Sequence, residues 1–199
     1  MGVDVEQEPH RWDRARVVDA ADRVFTAEGA VGLDHATVAT LAGTDADTVR
    51  AYFPEQIDVV VAVLEHRHAQ WNDGLAEAAL GAADARDEIL TVFAHLEACF
   101  RDPTWTGCAF INGYGELGRS ESRVAALAHD HLRGIEAHLH ALAARAGLPV
   151  HVADALSLLV EGAKVESAIH RTTRPARSAR LAAATLMTAY APSAHTDFI

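Results

Sequence analysis

Gly29, Asp34, Gly43 and Asp45 punctuate the stretch from Arg14 to Pro54 so closely that only short packed helices fit between them. The text R-A-R-V-V-D-A-A-D-R-V-F-T-A-E places Val17, Ala20, Ala21, Val24 and Phe25 at i, i+3, i+4, i+7 and i+8, and Gly29 follows. That spacing predicts an amphipathic helix with a glycine stop. Asp34 is placed to cap a second helix that ends at Ala42-Gly43, and Asp45 to cap a third from Ala46 to Phe53. Pro54 suits the first turn of a fourth. Three short helices, the second and third meeting at a tight glycine turn, form a helix-turn-helix arrangement.

The remaining text reads as longer helices. Apolar residues recur at helical spacing in 54–79 (Ile57, Val60, Val61, Leu64, Trp71, Leu75) and in 87–101 (Ile89, Val92, Phe93, Leu96, Phe100). A short, glycine-rich segment follows at 105–117, then helices over 121–146, 150–170 and 175–190, separated by Gly147-Leu148-Pro149 and Pro175. No strand-period alternation of useful length and no internal repeat occurs, so the predicted fold class is all-α. Half of the 199 residues are apolar, while aromatics are only 6%, a mixture that supplies a core and favours helices.

Charge and motifs narrow the function classes. The formal net charge is −11. The opening M-G-V-D-V-E-Q-E-P-H lacks the apolar region of a secretory signal, and no apolar run approaches the ~18 residues of a membrane span. A cytoplasmic location away from membranes is expected. Cys99 and Cys108 have no CxxC spacing and read as free thiols. There is no G-x-S-x-G, P-loop or Rossmann glycine pattern, so no enzyme, catalytic residue or cofactor is expected. The pairs His129/His131 and His138/His140 invite a metal reading, but residues i and i+2 on a helix point apart; solvated or partly buried histidines, with no metal, are the expectation.

Residues 14–58 resemble the DNA-binding domain of the TetR family of bacterial transcriptional regulators. The family's first helix, Ile-Leu-x-Ala-Ala-x-x-Leu-Phe-x-x-x-Gly, is matched by Val17 through Gly29. Its Ile-Ala-x-x-Ala-Gly-Val-Ser is matched by Val38 through Asp45, and its Thr-Leu-Tyr-x-His-Phe-x-x-Lys by Thr48 through Gln56, all without gaps. G-C-A-F-I-N-G-Y-G-E-L-G at 107–118 and E-G-A at 161–163 look like segments of one large TetR subgroup. The resemblance implies a reader over 10–54, a ligand-binding and dimerisation domain over 55–191, and a tail at 192–199. Its implied partners are a double-stranded DNA operator, a small-molecule effector and a second copy of the chain. The chain departs from the pattern where Arg50 replaces the usual Tyr, Gln56 the usual phosphate-contacting Lys, and Asp47 a small residue.

Candidate DNA contacts are Arg11, Arg14, Arg16, His35, Thr37, Thr48, Arg50 and Tyr52, with Val38, Ala39, Leu41, Val49 and Phe53 as core. Over 9–55, five arginines face eight acids, a net −3 that leaves few phosphate neutralisations available. Asp45 and Asp47 either cap the reading helix and favour its dipole or act at the DNA. Candidate pocket walls are Trp71, Phe93, Phe100, Trp105, Phe110 and Tyr114, with Glu97, Asn112, Glu116 and Glu161 as polar anchors; each is alternatively ordinary core. The last two helices suggest a dimer face of Leu156, Leu159, Val160, Ala163, Leu181, Ala184, Thr185 and Thr188, or simply an intramolecular core. Two functions follow: a ligand-responsive homodimeric repressor on a palindromic operator, or a small-molecule binder or enzyme whose acidic reader no longer reads.

Overall fold

The computed structural model describes residues 9–190, with side chains from Arg14 onward, so the Arg11 side chain and the 192–199 tail lie outside the described part. Among the described residues every regular element is helical: α1 (Pro9–Glu28), a 3-10 turn (Ala30–Gly32), α2 (His35–Ala42), α3 (Ala46–Tyr52), α4 (Gln56–Ala79), α5 (Ala85–Arg101), α6 (Ala109–Leu117), α7 (Ser122–Arg145), α8 (Val150–His170) and α9 (Arg174–Ala189).

The chain packs as two compact units. One comprises the described part of Met1–Gln70 with Ala109–His129; the other comprises Trp71–Cys108 with the described part of Asp130–Ile199. The boundary between the two units falls inside α4, after Gln70. The reason is local. Val59 to Leu64 are buried on every side of α4, as befits a helix surrounded by packed neighbours.

In the first unit the punctuation acts as its chemistry requires. Asp34 accepts from the Ala36 and Thr37 amides, and Asp45 accepts from the Thr48 amide at 2.7 Å, satisfying donors that a helix start leaves unpaired. Gly43 closes α2 with φ 70°, in the left-handed region. Val38, Ala39, Val49 and Phe53 are buried, but Leu41, expected in the core, is 45% exposed. It falls on the outer face of the short α2, where no neighbour covers it.

Gly29 also sits at positive φ, 76°, and a Cβ there would lie 2.8 Å from Glu116 Oε1. The glycine therefore permits both the turn and the approach of the Glu116 carboxylate, which accepts from the Ala30 amide at 2.8 Å. Arg67 of α4 pairs with Asp22 and lies over the Phe25 ring, fastening α4 to α1.

The second unit is a helical bundle in which α8 packs on α9 and both pack on α5. Phe93, Leu96, Leu139, Leu156, Val160 and Met187 belong to one buried core. Asp84 caps α5. Arg86 of α5 donates to the carbonyls of Met187 and Tyr190 at 2.7 and 3.1 Å, so a cation meets the C-terminal end of α9.

Candidate DNA-reading face and buried bundle cluster

The reader places its predicted contact residues on one small scaffold, but most of their polar groups are already engaged. Arg16 Nη2 donates to the Ala42 carbonyl at 2.9 Å, closing the end of α2. His35 Nε2 lies 2.7 Å from the Phe53 carbonyl. The Thr37 hydroxyl donates to Asp34 at 2.6 Å. The Arg14 guanidinium stacks 5.0 Å over the Phe53 ring. Thr48 and Tyr52 are half-buried on α3. Arg50 Nη1 meets Asp47 Oδ1 at 2.7 Å, with the Asp47 side chain 94% exposed.

An exposed pair one turn apart contributes little stability. Its larger consequence is electrostatic: Arg50 is the one cation of α3, and Asp47 neutralises it. Of the candidate contacts, Arg16 and His35 thus serve as structural ties, Thr37 supports a helix cap and Arg14 stacks on a ring. Asp34 itself is held below the usual carboxylate range, chiefly by the Thr37 hydroxyl and amide.

The ten predicted pocket residues divide between the units. Phe110, Asn112, Tyr114 and Glu116 lie in the first, where Phe110 is buried against its neighbours and Tyr114 is half-exposed; Glu116 holds the Gly29 turn. The other six lie in the second. There Glu97 ion-pairs with Arg101 at 2.6 Å and lies 3.6 Å from Arg177, so its charge is spent between helices.

Trp71, Phe93, Phe100, Trp105 and Glu161 belong to the core of the second unit or to its polar heart. Sequence reasoning missed the centre of that heart, Lys164. It is only 2% exposed; its Nζ donates to Glu161 Oε1 at 2.9 Å and lies 4.7 Å over the Trp71 ring. His95 and the buried His131 stand edge-on to Trp71 at 4.9 and 6.0 Å. Cys99 Sγ lies 3.6 Å from His95 Nε2. Burial pushes the His95 pKa down and the Cys99 pKa up, so both rest uncharged near neutrality. Trp105 Nε1 donates to Ser167 Oγ at 2.8 Å. Trp71 Nε1 and Glu161 Oε2 are buried with no hydrogen-bond partner among the described residues. A buried donor and a buried acceptor left over beside one ion pair are costly unless something completes them. The available signal was a lysine directly after the apolar repeat of 152–163, three residues after Glu161.

No protein-family model matches the chain, and no curated protein matches it. Solved structures do. A TetR-family transcriptional regulator from Streptomyces coelicolor superposes with a TM-score of 0.81 at 20% identity, over 89% of this chain and 95% of that one. The fold is that of the TetR-family regulators. A TetR regulator from Chloroflexus aurantiacus J-10-FL matches at 0.78 with 19% identity, over 92% and 97%. The reduced form of NemR from E. coli matches at 0.77 with 20% identity, over 88% and 97%.

On this TetR fold the expected dimer face needs correction. Leu156, Val160 and Ala163 are at most 5% exposed and belong to the chain's own core, so they present nothing outward. Leu181 is 71% exposed, and Leu158 and Ile169, absent from the expected set, are 74% and 70% exposed. A shallow apolar groove of about 720 Å³ runs between α8 and α9, lined in part by Leu158, Leu159, Leu181, Thr185 and Leu186. Helix α8 is apolar on nearly every face, so spacing alone did not tell its inner stripe from its outer one. Among the described residues no helix is long and apolar enough to cross a membrane.

Proposed function

We propose that this chain is a homodimeric, effector-responsive transcriptional regulator that works in the cytoplasm, without catalysis, as a repressor on a palindromic operator. The observation that carries the reading is the intact helix-turn-helix, with Asp34, Gly43 and Asp45 each in its capping role, which presents Thr48, Arg50 and Tyr52 along α3. Two copies would join through the apolar groove of α8 and α9. Leu158, Ile169 and Leu181 form an exposed apolar surface of the kind that marks an interface, and a symmetric pair of readers matches two half-sites.

The effector would bind beside Lys164, Glu161 and Trp71, where a donor and an acceptor stand unpartnered. By binding one arrangement of the dimer better than another, it would lower DNA affinity through a population shift. The Asp47–Arg50 pair supports a second reading, a small-molecule binder whose reader contacts no DNA.

Selection of genomic fragments on the purified chain at low salt separates the two. Enrichment of a fragment with paired inverted half-sites supports the regulator. Retention of no fragment at all supports the second reading.

A further inference from the structure

His138 and His140 stand two apart on α7 and cannot chelate one ion, but the fold gives His140 other companions. Glu136 stands one turn before it on α7, and Asp154 reaches it from the first turns of α8, all within the second unit. One ligand atom from each of the three residues lies within 4.8 Å of the other two.

His140 Nε2 is 2.9 Å from Asp154 Oδ1. That nitrogen is buried, and a bound ion would take the place of its contact with Asp154.

We propose that Glu136, His140 and Asp154 form a binding site for a divalent cation of the zinc class. Ligand atoms about 2.0–2.2 Å from a tetrahedral ion are separated by roughly 3.4 Å, so the present spacing needs only small side-chain rotations. One imidazole and two carboxylates suit borderline ions such as Zn2+ or Co2+. Mg2+ and Ca2+ take all-oxygen shells of six or more ligands. The two carboxylates neutralise the ion's charge, and the fourth position stays open to water. A bound ion would tie α7 to α8.

A plain histidine–carboxylate ion pair explains His140 and Asp154 but gives Glu136 no role, which makes Glu136 the discriminating residue. His170 and Glu166, 3.3 Å apart on α8, are an ion pair of that plain kind and provide the control.

The test is equilibrium dialysis of the chelator-stripped full-length chain against Zn2+, with metal analysis, and Co2+ absorption as the signature of a tetrahedral nitrogen–oxygen site. The wild type is expected to bind one ion per chain and to unfold at higher temperature when it is present. Glu136→Gln, His140→Ala and Asp154→Asn should each weaken binding by at least about tenfold, and His170→Ala should leave it unchanged. Glu136→Gln alters an exposed side chain, so it carries the test even if His140→Ala fails to fold. Equal Zn2+ binding in the wild type and Glu136→Gln, or loss of the ion in His170→Ala as well, overturns the site.

Discussion

Replacing Glu161 by leucine strands the Lys164 ammonium, 2% exposed, against little more than the face of Trp71. Removing one partner of a buried ion pair costs about 3–5 kcal/mol. The Glu161 side chain is 25% exposed, so water reaches one end of the pair and the low end, about 3 kcal/mol, applies. For a chain of this size that corresponds to a fall of roughly 6–12 °C in Tm. Lys164→Met leaves the carboxylate behind instead, on a side chain that is 25% exposed although its Oε2 is buried. The expected loss is smaller, about 1 kcal/mol.

The double variant Glu161→Leu/Lys164→Met removes both charges and replaces them with apolar groups of similar volume. It should fall within about 1 kcal/mol of the wild type, or exceed it. The cycle therefore has a coupling of about 3 kcal/mol. The assay is guanidinium unfolding followed by far-UV circular dichroism at one fixed protein concentration, because an oligomer's stability varies with concentration. A double variant as unstable as Glu161→Leu alone would refute the reasoning, since Lys164 would then not be the stranded charge.

Three further outcomes follow from the reader and the outer face. Asp34→Ala should destabilise the chain by about 1 kcal/mol through loss of its N-cap. Because folding lowers the Asp34 pKa, its ionic contribution is complete above the unfolded value of about 3.9 and fades as pH falls through the folded value. The gap between wild type and Asp34→Ala in chemical denaturation should therefore narrow below about pH 4. Asp47→Ala frees Arg50, and under the proposed function it should tighten DNA binding and steepen the salt dependence by about one counterion in anisotropy titrations; an unchanged slope would mean that Arg50 does not face phosphate. Leu158→Glu combined with Leu181→Glu should give a folded monomer in sedimentation, whereas a persisting dimer would place the interface elsewhere.

The helices were legible because their signals are local. Asp34, Asp45 and the glycines at 29 and 43 act through bonds to residues two to four positions away, so the text near each one determines its role. The division of labour among side chains was less legible. Arg16 meets the carbonyl of Ala42, His35 that of Phe53, and Glu116 the amide of Ala30. Each partner is far along the chain and is a backbone atom, which leaves no mark in a pattern of side chains.

The buried cluster was half legible. Trp71 and Glu161 were named from aromatic and acidic content, but Lys164 was not. A lysine directly after an apolar repeat is ordinarily a surface residue, and only the approach of α4, α5 and α8 shows this one to be enclosed. The outer face of α8 was misread at Leu156, Val160 and Ala163 because hydrophobicity runs around that helix. Only neighbours decide which side of it is inward.

The proposed function stands on recognition of DNA by this acidic reader. An anisotropy titration, at one stated salt concentration, of a duplex selected from genomic fragments and of its scrambled counterpart tests it most directly. The expected result is two chains per duplex and a preference of at least about 10³-fold for the selected sequence. Equal affinity for both duplexes, or no binding to either, would contradict it.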